Sequence, residues 1–323
     1  MGSFTFKKWN TILGWFVFSI ALVTYWSTVE PTASFWDAGE YITTASNLEV
    51  GHPPGAPLYQ LMGAFFSIFA MEATNIALTI NLMSVFASAF TILFMFWSVT
   101  ILLSNLVKKN DTLNKNNQIA ILGSAVVASL TFAFTDSFWY SAVEAEVYAM
   151  AAFIMSVLFY AGLRWEGEMF TPRGDKWVVL IAFVIGLSFG VHFMGLLTIP
   201  AIGFLYFFKN YNKVTVKNFL IANVVTVAIL LFIFKLLLPM TLRFFSAAEI
   251  FFVNQINMPF NSGTIIAGLL FLAVFYFGLR YTRSKSFVKL NTLLLCVLFI
   301  FIGFSSWLML PIRANAGTVI NEN

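Results

Sequence analysis

Residues 75–106 pass without one charged side chain, and so do residues 177–208. A helix needs about 20 mostly apolar residues to cross hydrocarbon, and both runs exceed that. Lipid offers no water to an open backbone, so spanning segments of this kind must be helices that satisfy their own hydrogen bonds. Composition agrees: 60% of the chain is hydrophobic and only 10% is charged, against about 45–50% and about 25% in soluble domains. A mean hydropathy of +0.86 excludes an ordinary soluble protein, a disordered chain and a nucleic-acid binder with a basic face. A single cysteine excludes an intrachain disulfide framework and a Cys-built zinc site. The expected fold class is an all-α polytopic membrane protein, a single transmembrane domain over residues 1–323.

Length and apolarity place spans at about 9–29, 75–106, 118–135, 141–164, 177–190, 193–208, 215–238, 264–281 and 288–311, nine in all. The run at 177–208 is divided because Gly186, Gly190 and His192 interrupt it in "GLSFGVHF". The first segment follows Lys7 and Lys8 without a small-residue cleavage site, which makes it an anchor. Between the first two spans lies a loop, residues 30–74, with four acidic residues and four of the chain's nine prolines before residue 58. Its apolar stretch at 58–70 is only about four turns long. That suits a helix at the membrane surface or one partly re-entering it.

Charge tests the map, because cytoplasmic loops collect Lys and Arg. With the N-terminus inside, fifteen of the 18 basic residues fall on inner loops, among them Lys108 and Lys109. They account for the pI of about 9.1 without an anionic partner. Lys235, Arg243 and Arg313 are left at or near the outer face. Ten acidic residues share that face, including Glu30, Asp37, Glu40, Glu49, Glu144 and Glu146. The outer face is therefore the expected binding or reaction face, and the C-terminus ends on it.

Asp37 and Glu40 are three apart and share one face of a helix. Two carboxylates there can take a proton from an attacking hydroxyl or hold a divalent cation through oxygen. The same Asp-x-x-Glu spacing is also a capping box, in which Asp37 caps a helix and Glu40 reaches back to it. "GHPPGAP" at 51–57 cannot be helical and presents His52 from a rigid turn, or serves as a plain connector. Glu144 and Glu146 are two apart, so on a helix at most one faces the interior with Tyr148 or Tyr140. His192 sits in the glycine-flanked break, where the next half-helix offers free N–H groups to an anion. Lys235 can snorkel to headgroups. Alternatively, Lys235, Arg243 and Arg313 together can clamp one phosphate.

Outer carboxylates, cations at headgroup level and a closed loop suit a substrate that is half lipid and half polar, such as a lipid-linked phosphosugar. No Walker-A or dinucleotide motif is present. The stretch "PTASFWDAGEYITTASNLEVGHPPGAPLYQLMG" resembles the opening motif of the protein O-mannosyltransferase-like membrane family within the GT-C glycosyltransferase superfamily. "EAEVYAM", "GLSFGVHF" and the terminal "PIRANAGTVINEN" resemble later motifs of that family, in the same order.

The resemblance implies a GT-C-like bundle whose first outer loop carries surface helices. It also implies a polyprenyl-phosphate-linked sugar donor and inverting transfer to Ser or Thr hydroxyls of exported proteins, with mannose one candidate sugar. By the same resemblance Asp37 matches the catalytic base and Glu40 the second acid. His52, Glu146, Tyr148, His192, Lys235, Arg243 and Arg313 become candidates to bind donor phosphate or substrate. A large soluble region would follow the membrane part. The implied partners are the bilayer, the lipid-linked donor and an exported acceptor protein, without nucleic acid. The implied setting is a bacterial inner membrane, with a cytoplasmic N-terminus and a periplasmic active face. A transporter or flippase for a lipid-linked substrate and a non-catalytic subunit of an export complex are the competing readings.

Overall fold

The computed structural model describes residues 5–107 and 113–322; Lys108 and Lys109 lie outside them. The described residues are built almost wholly from helices. The elements are α1 (Phe6–Ser27), α2 (Ala38–Asn47), α3 (Pro57–Ser67), α4 (Ile76–Val107), α5 (Lys115–Ala133), α6 (Asp136–Ala142) and α7 (Val147–Glu168). After them come α8 (Asp175–Ser188), α9 (Thr198–Asn210), α10 (Val216–Leu231), α11 (Leu238–Ile250), α12 (Ser262–Ser284), α13 (Val288–Phe304) and α14 (Met309–Ala314). The only sheet-like pairing among the described residues is an isolated bridge between Val50 and Asn321. Among the described residues eight segments are long and apolar enough to cross a bilayer, and the chain is an integral, all-α polytopic membrane protein. α8, at 14 residues, is a ninth apolar helix below that length.

α4 organises the bundle because both its sides are buried. Val85, Ala89, Ile92, Leu93 and Phe96 join a cluster with α1, α5 and α6. Met83 and Ala87 join another with α7, α8, α9 and α13. α8 and α13 approach backbone to backbone, since a Cβ on Gly186 would strike the carbonyl of Ile300 and one on Gly303 that of Phe183. Most large apolar side chains of α10 and α12 are exposed, as lipid-facing helices require.

Two expected spans differ. The segment at 215–238 runs on through two π-helical stretches, Phe232–Leu237 and Phe251–Gln255, to residue 255. Pro239 falls within this run, and wider π turns absorb its missing N–H. The segment at 141–164 instead starts its long helix at Val147, after the short α6. Between them residues 143–146 turn, with the N–H of Glu146 donating to Glu144 O at 2.9 Å.

One end of the bundle is tied together across the whole sequence. α8 stops at Ser188 and the chain re-enters at the 3₁₀ turn Phe193–Leu197. In the gap, Gly190 O accepts from the N–H groups of Leu58 and Tyr59 at the start of α3. Trp307 Nε1 donates to Phe189 O at 2.9 Å. The C-terminal tail pairs with Val50, whose N–H donates to Ile320 O at 3.1 Å.

Candidate functional site

Asp37 stands at the N-terminal boundary of α2, exposed, behind the exposed aromatics Phe35 and Trp36. Trp36 has φ of 63°, a left-handed conformation that a bulky residue seldom adopts. The capping box does not form. Asp37 has helical backbone angles (φ −85°, ψ −2°) and its side chain makes no cap bond. A capping side chain needs the extended backbone that places its oxygen over the first turn.

Glu40 turns away from the helix start and toward the 51–57 loop. It accepts the His52 backbone N–H at 2.7 Å, and both its oxygens lie 3.0 Å from His52 Nδ1. Glycine at position 51 makes this approach feasible: a Cβ there would lie 2.6 Å from Glu40 Oε1. The hydrogen bond to Glu40 raises the His52 pKa above its ordinary value, with further help from Asp37 and Glu322.

The "EAE" segment supplies the opposite wall. Because residues 143–146 turn instead of continuing a helix, both Glu144 and Glu146 are buried, at 4% and 6% exposure. Only one was expected to point inward. Glu144 is held by Ser34, whose hydroxyl donates at 2.6 Å. The Glu146 carboxylate lies close enough to Asp37 for the two acids to repel. Burial first, and then the charges of Asp37 and Glu144, push the Glu146 pKa up to about 7.

Tyr41 ties these groups together. Its ring packs 5.7 Å from His52 and 5.1 Å from Tyr59, centroid to centroid. Its hydroxyl is held protonated by burial and by the charges of Glu146, Asp37 and Glu40. Tyr148, half exposed, packs 5.6 Å from His192. Asp37, Glu40, His52, Glu146, Tyr148 and His192 thus come together from three separated stretches of chain. Tyr41 was missed, although the positions 37, 40, 41 and 44 share one helical face and mark it.

The other candidates sit differently. His192 Nδ1 accepts the Met194 N–H at 3.2 Å, so that N–H is already taken. Arg313 Nε donates to Leu48 O at 2.5 Å and its Nη2 to Asn47 O at 3.2 Å, which binds it to the C-terminal end of α2. Lys235 is exposed, with Nζ 4.8 Å from the centroid of the Phe234 ring. Phe234 in turn packs 5.1 Å from Phe193, the neighbour of His192. Arg243 is exposed two turns further along the same continuous helix. Among the described residues no three His, Cys, Asp or Glu side chains cluster closely enough to hold a metal ion.

Beside this group an almost wholly apolar groove of about 570 Å³ opens between α1, α3, α4 and α7. Trp26, Met62, Phe66, Phe86, Phe90 and Met150 line it, and Met150 lies one turn beyond Glu146. Residues 37–215, which hold Asp37, Glu40, His52, Glu146, Tyr148 and His192, match the family described as protein O-mannosyl-transferase TMEM260 N-terminal domain. The chain belongs to that family. It is 23% identical over 209 residues to the protein O-mannosyl-transferase tmem260 of Dictyostelium discoideum, covering 61% of this chain and 23% of that one. It is 26% identical over 172 residues to the protein O-mannosyl-transferase TMEM260 of Mus musculus, covering 53% of this chain and 22% of that one. The matched stretch thus spans under a quarter of the length of these curated relatives. No solved structure matches the chain.

Proposed function

We propose that this chain is the membrane part of an inverting GT-C glycosyltransferase that moves a sugar from a polyprenyl-phosphate donor to Ser or Thr hydroxyls of exported proteins. The names of its relatives favour mannose. The observation that carries the reading is the pairing of an exposed Asp37 carboxylate with a buried Glu146 close beside it. An exposed carboxylate can meet an acceptor hydroxyl, and its place at the start of α2 keeps it aimed.

In the proposed reaction Asp37 takes the proton of the acceptor hydroxyl. The acceptor's hydroxyl oxygen attacks the anomeric carbon from the side opposite the phosphate. The carbon–oxygen bond to phosphate breaks, and polyprenyl phosphate leaves with the electron pair. The groove lined by Met62, Phe86 and Met150 suits the donor's isoprenoid chain, since its lining is apolar and it lies a helical turn from Glu146. The bias of basic residues to the opposite ends of the helices supports a cytoplasmic N-terminus and an active face on the outer side, in a bacterial inner membrane for the expected host.

Transfer of labelled mannose from polyprenyl-phosphate mannose to a Ser/Thr peptide, measured in proteoliposomes, tests the proposal. Asp37→Asn should lower turnover by on the order of 10²–10⁴-fold with the fold intact. Undiminished turnover in that variant removes Asp37 from the chemistry. Donor flux across the vesicle without transfer would favour the transporter reading, for which the broken stretch at 189–192 is the supporting feature.

A further inference from the structure

Glu40 does more than share a face with Asp37. Its two oxygens take both polar groups that His52 offers on that side, the backbone N–H and ring Nδ1. A carboxylate can only accept, so Nδ1 must carry the proton. The other ring nitrogen, Nε2, has no hydrogen-bond partner among the described residues, and the side chain is 35% exposed. The charged or titratable groups facing the ring are Glu40 and Tyr41 from α2, Asp37 before it, and Glu322 from the C-terminal tail. Three of these four are acids, and none is a cation. The setting thus favours imidazolium, with an open Nε2–H turned away from Glu40.

We propose that Glu40 is a positioning residue and not a second base, and that it orients His52 so that Nε2–H donates to the departing phosphate oxygen of the lipid-linked donor. This rests on the transferase reading above. Within it, the acceptor proton goes to Asp37, the new carbon–oxygen bond forms, and the electron pair of the broken bond stays on the phosphate. The His52 imidazolium offsets the charge gathering there and need not lose its proton. The arrangement separates the work of the two acids: Asp37 faces the acceptor, and Glu40 acts only through His52. It also gives Gly51 a reason, because a side chain at that position would collide with Glu40 Oε1.

The chain has two histidines, so His192→Gln leaves a single imidazole to observe by ¹⁵N-histidine NMR in bilayers. The expected spectrum has Nδ1 protonated and a midpoint above the free-histidine value. Glu40→Gln, and independently Gly51→Ala, should move that midpoint down. Adding polyprenyl phosphate should shift Nε2, whereas polyprenol without phosphate should not. In the transfer assay Glu40→Gln should pull the alkaline limb of the rate profile to lower pH, while Asp37→Asn depresses the rate at every pH. A bare Nδ1, or an unmoved midpoint in both variants, overturns the pairing. A phosphate-insensitive Nε2 overturns the donor contact. If no variant or parent transfers sugar while the NMR results hold, the transferase reading fails and the Glu40–His52 pairing stands.

Discussion

Arg313 and Leu48, 265 residues apart, meet where the guanidinium Nε donates to the Leu48 carbonyl at the left-handed end of α2. Cationic donors on the last carbonyls of a helix satisfy groups the helix itself leaves open and complement its dipole. Asp37 is the N-cap residue at the opposite end of α2, so this contact fixes one end of the element that aims the carboxylate. Arg313→Ala should cost about 1.5 kcal/mol of stability in detergent unfolding, at the low end for a charged hydrogen bond because the site is half exposed. Sugar-transfer kcat should fall more than donor KM rises. Arg313→Lys should rescue little, since an ammonium lacks the fork that spans two carbonyls.

Glu146 makes stability fall as pH rises. Its folded pKa of about 7 lies above the ordinary 4.5, so between those values the folded protein holds a proton that the unfolded chain has released. Stability from this group is fully present below about 4.5 and is lost as pH climbs through about 7. The melting temperature should decline across that window, with a total effect on the order of 3 kcal/mol. Glu146→Gln should flatten the decline. A parent curve that rises over the same window would contradict the burial.

The contact of α8 with α13 depends on two absent side chains. A Cβ at Gly303 would meet the Phe183 carbonyl and the Leu187 amide nitrogen, backbone atoms that cannot rotate aside. Gly303→Ala should therefore destabilise the bundle by about 1–3 kcal/mol. The same change at Gly123, where a Cβ meets nothing within 4 Å, should be neutral or slightly stabilising. Thermal unfolding of the two variants side by side reads the difference.

Asn81, buried on α4, donates through Nδ2 to Glu30 O at 2.6 Å and Thr32 O at 2.9 Å. It anchors the loop that leads to Trp36 and Asp37. Asn81→Ala strands two carbonyls and should cost about 1–3 kcal/mol. Hydrogen exchange should rise at residues 28–37 more than in α4 itself.

Much of the fold was legible because a helix reports locally. Apolar runs such as 75–106 declare membrane helices, and Asp37 and Glu40 declare a shared face through their three-residue spacing. The site was legible in part. Spacing favoured a capping box at Asp37, yet Glu40 binds His52, twelve residues on, because a turn returns the chain to it. A helical reading of residues 143–146 let only one glutamate point inward, whereas the turn there buries both. Arg313 looked like a phosphate ligand, and its partners are backbone carbonyls that no side-chain pattern records.

The sequence by itself determined the solvent of this protein, its helices and the uneven distribution of its charges. These follow from hydrocarbon's refusal of polar groups, which acts on each segment separately. Tertiary structure alone decided which side chains face one another: Glu146 against Asp37, Glu40 against His52, Arg313 against α2. Those choices depend on turns and helix crossings that bring distant segments within hydrogen-bond reach, and periodicity along one segment carries no record of them.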